Sequence, residues 1–379
     1  MSDRPSYVYG ERKTGDMSAN AFAFGTGRIS GYVALSLGVM SLLAVLCFRY
    51  PSWLTTGQLR EVYDLRVLRI VLRVAMWVSL SCGLFTFVRN RNKRMGAIGV
   101  LCTVVAYALG GWRIEVGPLH DHALSLGVDW LLLDLLASAV LFIFIEKVFP
   151  RYPDQVILRP EWKLDATYFA FNHLLIGLLL LVGNHFAPAV FGWAVNAHVQ
   201  RFVENLPLPG QIVLLVVCAD FTQYWVHRAY HEVPWLWRIH AVHHSTEHMD
   251  WLASSRNHVL ETLIDRSIAM VPLYLLGPQK AALDLYVVFA ALQAVFVHAN
   301  VGLPLGPLAH VLVTPRYHHW HHSSDKPAID TNYAVHLPLF DRLFGTFHMP
   351  ELHWPIEYGT TKRIPRTFLR QLAYPLSRD

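Results

Sequence analysis

Histidines are concentrated in one part of the chain, at spacings that suit the binding of metal ions. Of the 21 histidines in the sequence, 13 lie between His227 and His322. The segments His240–His244 and His318–His322 both contain the pattern HxxHH, and His227–His231 contains HxxxH. Because residues three or four positions apart are neighbours on one side of a helix, each segment can direct its imidazoles toward a common point. Imidazole is a frequent ligand of divalent transition metals, so the pattern predicts a metal site.

The number of these imidazoles indicates two ions rather than one. Eight fit the spacing, which is more than one tetrahedral or octahedral ion can bind; they are His227, His231, His240, His243, His244, His318, His321 and His322. Neutral imidazoles with few or no thiolates suit iron, zinc, copper or nickel. The HExxH motif of many zinc hydrolases is absent, since Trp occupies position 235 after Glu232. Two redox-active iron ions at a membrane surface would instead suit oxygen activation and attack on the C–H bonds of a lipid chain.

The composition places this histidine-rich region in a membrane protein. Hydrophobic residues make up 54% of the 379 residues and charged residues only 16%, a balance that excludes disordered and collagen-like chains. The four cysteines stand singly in apolar segments, so they predict neither a disulfide scaffold nor a zinc site. The net charge of +5 comes from basic residues at the ends of apolar segments. This distribution suits lipid headgroups and does not indicate nucleic-acid binding.

Apolar segments of about 20 residues predict membrane-spanning helices. Six segments fit or approach this length: Ile29–Phe48, Val71–Val88, Met95–Trp112, Trp130–Val148, Thr167–Val190 and Gln211–Val226. Two further stretches, Leu263–Leu276 and Ala281–Val297, are joined by the turn sequence Gly277-Pro278 and predict a hairpin that is either spanning or re-entrant. Most basic residues fall on one side of these segments, which the positive-inside rule makes cytoplasmic. Arg60 and Arg66, which fall on the opposite side, are exceptions to this distribution. Residues from His227 onward are expected on the cytoplasmic side.

One helix is predicted to carry the first histidine pair. At about 100° per residue, Asp220, Tyr224, His227 and His231 fall within about 60° of one another, so their side chains share one face. A carboxylate inside an apolar helix is costly unless it has a partner. We therefore expect Asp220 to lie near the metal site. Histidines that stand alone, such as His173 and His336, are expected to be structural.

The sequence around these histidines resembles the fatty acid hydroxylase superfamily, also called the sterol desaturase family. The resemblance is carried by five blocks in order: Asp220–Ser245, Arg256–His258, Val297–Val301, His318–His322, and Asp330–Tyr333 followed by Phe340–Thr346. It covers roughly residues 165–350, and the segment from Met1 to about Lys163 is not covered. By position, the resemblance implies that the eight box histidines are ligands, with His298 as the ninth and His258 as a tenth.

The resemblance implies a membrane-embedded monooxygenase with two iron ions, O2 as co-substrate and external electrons. A ligand imidazole usually donates its other N–H to a second group. The residues expected in that role are Asp220, Glu232, Glu261, Asp325, His319 and Asn300. No flavin, nicotinamide or haem motif is recognisable in the sequence. The electron donor is therefore expected to be a separate cytochrome b5-, ferredoxin- or reductase-like protein.

Together, these observations predict an all-α fold, a polytopic membrane bundle with a cytosolic histidine-rich cap for two metal ions. The expected divisions are a cytosolic segment at 1–28, transmembrane helices at 29–163, a catalytic domain at 164–350 and a tail at 351–379. The expected reaction is hydroxylation or desaturation of a membrane lipid such as a sterol or fatty acyl chain. Two alternatives remain open at this point, a non-oxidative zinc enzyme with the same ligands and a non-catalytic membrane carrier of metal or haem.

Overall fold

The computed structural model describes residues 28–60, 64–90, 93–120, 125–350 and 353–377. Over these ranges the chain is helical and has no β-strand, with isolated bridges at Pro150–Val301 and Ser323–Tyr358. The predicted all-α fold is confirmed. The predicted N-terminal segment 1–28 lies outside the described residues apart from Arg28. The chain divides into two compact units, Met1–His122 and Ala123–Asp379, and the domain boundary expected at residue 164 stays a prediction.

Three long helices form the first unit. They are α1 (Arg28–Arg49), α4 (Leu65–Arg89) and α5 (Arg94–Ala106), with the short helices α2 (Pro51–Leu54) and α3 (Gly57–Arg60) between the first two. A π-helical turn at Tyr107–Gly111 extends α5. Much of the outer surface of these helices is apolar, as at Trp77 and Val88, whose exposed fractions are 68% and 77%. This pattern suits helices surrounded by lipid.

Small residues let the backbones of these three helices approach closely, as is typical of helices packed in a membrane. A Cβ atom at Gly99 would lie 2.4 Å from the backbone C and O atoms of Ala34, so only glycine fits there. The hydroxyl of Ser79 donates to the Ala34 carbonyl at 2.8 Å and also lies 2.8 Å from the Thr103 hydroxyl. Backbone contact and buried hydroxyl bonds therefore hold α1, α4 and α5 together.

Replacing Gly99 by valine is expected to destabilise this unit by about 1–3 kcal/mol, the usual cost of overpacking. The upper end applies because the new side chain would meet backbone rather than a movable side chain. Thermal unfolding of the purified chain in detergent measures the effect. The control is Leu101→Val on the same helix, since the Leu101 side chain is 61% exposed. An unchanged melting temperature for Gly99→Val would contradict the close approach of α1 and α5.

The second unit contains the remaining helices and the histidine-rich region. Its long helices are α6 (Val128–Val148), α7 (Trp162–Leu174), α8 (Ile176–Phe191), α10 (Leu208–Glu232), α11 (Pro234–His244), α12 (Val259–Leu276) and α13 (Lys280–Phe296). The shorter helices are α9 (Ala197–Glu204), α14 (Pro315–His321), α15 (Leu339–Phe344) and α16 (Phe368–Ala373). The predicted hairpin is present as α12 and α13, and Gly277 ends α12 with a positive φ of 59°, a conformation that favours glycine.

Five helices in the described part of the chain are long and apolar enough to cross a bilayer. They are Ile29–Arg49, Leu65–Arg89, Arg94–Gly111, Val128–Val148 and Ile176–Ala194, which confirms a multi-pass membrane protein. The predicted segment Thr167–Val190 is divided at Leu175 into α7 and α8. Polar contacts precede the break, because Asn172 donates to the Asn257 carbonyl and the His173 ring lies 2.7 Å from the Asp134 carboxylate. The apolar helix therefore begins later than predicted.

A buried ion-pair cluster holds the start of α7 against the segment between α11 and α12. Arg159 bonds to Asp250 at 2.7 and 2.9 Å and to Asp165 at 2.6 Å. Arg256 bonds to Asp165 at 2.5 Å and to Glu161 at 3.3 Å. The side chains of Arg159, Arg256 and Asp165 are wholly buried. The cluster fixes the segment that follows the second histidine box.

Candidate metal centre

The structure gathers nine histidines into two adjoining groups. The first group contains His227, His231, His240, His244 and His321, and the second contains His243, His298, His318 and His322. Within each group, one nitrogen from every ring lies within 4.8 Å of the others. All nine were predicted as ligands. Each group has the size of a single metal site.

Four parts of the second unit supply these rings. The C-terminal part of α10 carries His227 and His231, and α11 carries three rings. The turn after α13 carries His298, and α14 with the residue that follows it carries three more. The neighbours His243 and His244 belong to different groups, as do His321 and His322. Successive residues of a helix point about 100° apart, so one HxxHH segment serves both groups.

Hydrogen bonds to carbonyl groups fix the orientation of several rings. His227 Nδ1 lies 2.7 Å from the Tyr333 carbonyl oxygen, and His321 Nδ1 lies 2.8 Å from that of Thr331. In the second group, His298 Nδ1 lies 2.8 Å from the Ala294 carbonyl oxygen, and His243 Nδ1 lies 3.1 Å from that of Arg256. A carbonyl oxygen only accepts, so Nδ1 of each ring carries the proton. The lone pair of a neutral ring is then on Nε2.

The Nε2 atoms of these rings face one another at short distances. His227 Nε2 lies 3.0 Å from His240 Nε2, and His298 Nε2 lies 3.2 Å from His243 Nε2. His240 Nδ1 donates to a carboxylate at 2.8 Å, so in both pairs two lone pairs point at each other. Such pairs repel unless a cation lies between them. The buried Nε2 atoms of His231 and His321 also make no hydrogen bond with the described residues, and this donor set fits metal ions.

Burial keeps the rings neutral, the form that binds metal. Desolvation lowers the pKa of His240, His243 and His244 on α11 well below the usual value, and repulsion by neighbouring imidazoles lowers it further. The same causes act on the three rings of α14. Desolvation lowers the pKa of His298 to about 4. Protons therefore do not compete with metal ions for these nitrogens near neutral pH.

Three of the residues predicted to support the ligands contact the centre or its backbone. Glu261 accepts from His240 Nδ1 at 2.8 Å. His319 lies 3.0 Å from the Tyr358 hydroxyl and 3.3 Å from the His298 carbonyl oxygen. Asn300 lies two residues after His298 and accepts from the backbone N–H of Tyr152 at 2.8 Å. Glu261 is thus the one that bonds to a ligand ring, while the other two hold neighbouring backbone.

The other three lie away from the ligand rings. Asp220 accepts the backbone N–H groups of residues 335–337 at 2.7–2.8 Å, so it anchors the chain after Asp330–Tyr333. Glu232 is exposed and pairs with Arg228 at 2.7 Å. Asp325 is half-buried and its backbone N–H donates to Ser323. No hydrogen bond joins these three carboxylates to any of the nine rings in the described structure.

His258, the predicted tenth ligand, is not brought to either group. Its Nδ1 accepts the Leu260 N–H at 3.2 Å and thereby caps the start of α12. Its Nε2 lies 3.1 Å from the Leu372 carbonyl oxygen on α16. Both ring nitrogens are therefore used in holding α12 and the C-terminal segment. The isolated histidine His336 is buried and bonds to Gln293 at 2.7 Å, as expected for a structural residue.

The segment Asp330–Tyr333 supports the first group in a way that the histidine spacing did not indicate. Asp330 Oδ1 lies 3.1 Å from His231 Nδ1, and the carbonyls of Thr331 and Tyr333 accept from His321 and His227. Asp330 and Asn332 have positive φ angles of 59° and 61°. Buried Asn332 accepts the His348 N–H at 2.7 Å, which holds the turn in place. The family resemblance included this segment, but only the structure shows that it contacts three ligand rings.

The chain is similar to known lipid-modifying proteins over part of its length. The fatty acid hydroxylase family model matches residues 212–346. Ornithine lipid hydroxylase OlsE of Rhizobium tropici is 38% identical over 188 residues, which is 49% of this chain and 56% of that protein. Alkylglycerol monooxygenase of Homo sapiens is 36% identical over 145 residues, which is 38% of this chain and 32% of that protein.

The Caenorhabditis elegans alkylglycerol monooxygenase is 29% identical over 178 residues, covering 46% of this chain and 34% of that protein. The matches thus span about half or less of these relatives' length. No solved structure matches the chain significantly. All nine gathered histidines lie within the matched residues 212–346.

Proposed function

We propose that this chain, whose residues 212–346 match the fatty acid hydroxylase family model, is a membrane oxidoreductase that holds two iron ions and hydroxylates a lipid with O2. One observation carries the proposal. Two groups of buried imidazoles, five and four in number, direct Nε2 lone pairs at one another over about 3 Å. Cations bound between the rings would remove the repulsion of these lone pairs, and the nitrogen donors suit iron.

The residues of this chain would bind and orient the ions. The five rings of the first group would hold one ion, and the four rings of the second would hold the other. The carbonyl partners on Nδ1 keep each Nε2 directed inward, which fixes the rings before an ion binds. When bound, two iron ions would pass two electrons from the external donor to O2, so that one oxygen atom enters the C–H bond and the other leaves as water. Desaturation of the lipid uses the same centre and remains the alternative outcome.

The surface of α10 supports a lipid substrate. Val213, Phe221 and Trp225 are 42–63% exposed on the helix whose C-terminal part carries His227 and His231. Val213 also lines a groove of about 410 Å³ together with other apolar side chains, among them Val216 and Phe289. A lipid in the membrane can therefore approach the ligand-bearing helix without crossing a polar surface. The relatives' names mention ornithine lipid and alkylglycerol, which favours a lipid with a polar headgroup.

The proposal includes two further elements. The centre faces the cytoplasm, because basic residues concentrate on that side of the apolar segments. Electrons come from a separate donor protein of the cytochrome b5, ferredoxin or reductase type. Proteolysis or labelling of residues near His231 in oriented vesicles tests the first element, and reconstitution with each class of donor tests the second.

Comparative lipid mass spectrometry of cells with and without the chain tests the proposed function. Expression is expected to produce a lipid species heavier by one oxygen atom, and His243→Ala is expected to remove it because the second group loses a ligand. A species lighter by two hydrogen atoms would identify desaturation instead. A product that still forms without O2 would favour the zinc alternative. An unchanged lipid profile in every class, with the chain present in the membrane, would contradict both oxidative reactions.

A further inference from the structure

Two carboxylates support the first histidine group. The Glu261 carboxylate accepts from His240 Nδ1 at 2.8 Å, and both side chains are buried. The Asp330 carboxylate lies 3.1 Å from His231 Nδ1, and the Asp330 side chain is 58% exposed while that of His231 is 3% exposed. Two of the five rings in this group therefore donate to a carboxyl group.

The second group has no such partner in the described structure. His243 and His298 use the carbonyls of Arg256 and Ala294. His322 Nδ1 is buried and makes no hydrogen bond with the described residues. His318 contacts the other rings through Nε2. The second group thus has fewer rings than the first, and in the described structure its Nδ1 atoms donate only to neutral carbonyl oxygens.

This difference changes how strongly each group attracts a cation. A carboxylate on Nδ1 makes the imidazole a stronger donor at Nε2. A negative charge there also attracts the cation directly, more strongly from buried Glu261 than from half-exposed Asp330. Replacement of such outer partners typically reduces metal affinity about 10–100-fold. Both effects act on the first group and neither acts on the second.

We propose that the two metal positions are unequal, with the first group binding its ion more tightly, and that Asp330 and Glu261 are the positioning residues that set this difference. The inference rests on the proposed function, because it assumes that each group holds an ion. It adds the order in which the two ions are lost, and it attributes that order to two residues that are not themselves ligands.

Asp330→Asn provides the sharpest variant. The amide keeps an oxygen that can accept the His231 N–H but removes the negative charge. Asn also tolerates the positive φ that Asp330 adopts, so the turn is preserved. Glu261→Gln is the second variant, in case one of the two alters folding. Asp284→Asn is the control, because Asp284 is an exposed carboxylate that pairs with Lys280 on α13.

The measurement is iron content per chain during a chelator titration of the full-length protein, purified without O2 and loaded with Fe²⁺ alone. The original chain is expected to lose its two ions in two separate steps. Asp330→Asn is expected to move the tighter step to about 10–100-fold lower chelator concentration and to leave the weaker step unchanged. The metal-free variant is expected to melt at the same temperature as the metal-free original, which a merely structural role would not predict.

The possible results separate this inference from the proposed function. Loss of both ions in one step, or a shift of the weaker step in Asp330→Asn and Glu261→Gln, would overturn the inequality and leave the two-iron proposal intact. A chain that binds no iron under these conditions would overturn the proposed function itself. An equal shift in Asp284→Asn would also overturn the inference, since it would reflect general surface charge.

Discussion

Alanine substitution of either His243 or His244 is expected to remove one metal ion and to lower lipid product formation more than about a hundredfold. The two residues are adjacent, yet His243 lies in the four-histidine group and His244 in the five-histidine group. Each variant therefore loses a ligand from a different site. The loss exceeds that for an outer partner of a ligand, which is about 10–100-fold in affinity or activity, because a direct bond to the ion is absent.

Metal content and product formation, measured on the same preparations, check this expectation. Each single variant is expected to keep about one ion per chain, and the double variant none. Mössbauer spectra of the two single variants are expected to differ, because the remaining iron has different ligands. His198→Ala is the control, since His198 lies on the exposed face of α9. A His244 variant that kept both ions and full activity would contradict the division into two groups.

Helical spacing explains why the ligand set could be predicted from the sequence. The patterns HxxxH and HxxHH depend on neighbours within one or two turns, and the structure forms helices over all three. The division between the groups depends on contacts among distant segments. His243, for example, meets His298 at 3.2 Å across 55 residues of sequence. No local pattern shows which of two adjacent rings turns toward which segment.

The same distinction between local spacing and long-range contacts explains which polar residues the sequence could assign to the metal centre and which it could not. His258 belongs to the block Arg256–His258 of the family resemblance, but its Nε2 bonds to the carbonyl of Leu372, which is 114 residues away. Asp330 supports His231 from 99 residues away. Glu261 was predicted as a partner of a ligand, and it lies in the first turn of α12, beside the His240 ring. Long-range hydrogen bonds therefore determine which polar residues reach the centre.

The fold shows a similar division between local and distant causes. Hydrophobic length alone predicted four of the five apolar helices, and the hairpin followed from Gly277-Pro278. The fifth helix begins at Ile176 rather than near Thr167, because Asn172 and His173 bond to polar groups of other segments. The side of the membrane on which the histidines lie stays a prediction. It is indicated by the distribution of basic residues between the two sides of the membrane, and no contact within the fold depends on it.

Replacing Arg256 by methionine is expected to destabilise the second unit by about 3–5 kcal/mol, the cost of leaving a buried charge without its partner. The Arg256 guanidinium is wholly buried between Asp165 and Glu161. Methionine fills similar space but leaves the Asp165 carboxylate with Arg159 alone. Thermal or chemical unfolding in detergent measures the loss. The control is Arg366→Met, whose exposed pair with Glu247 is expected to contribute less than about 1 kcal/mol.

The Arg256 variant also tests whether the ion-pair cluster positions a ligand of the metal centre. The Arg256 carbonyl accepts from His243 Nδ1 at 3.1 Å, and its side chain lies 3.3 Å from Ser245. A shift of this backbone would release the His243 ring, so iron is expected to leave the four-histidine group at lower chelator concentration, with the five-histidine group less affected. Equal loss from both groups would indicate general unfolding instead. Retention of normal stability and of both ions would show that Asp165 is compensated by Arg159, and that the cluster does not position His243.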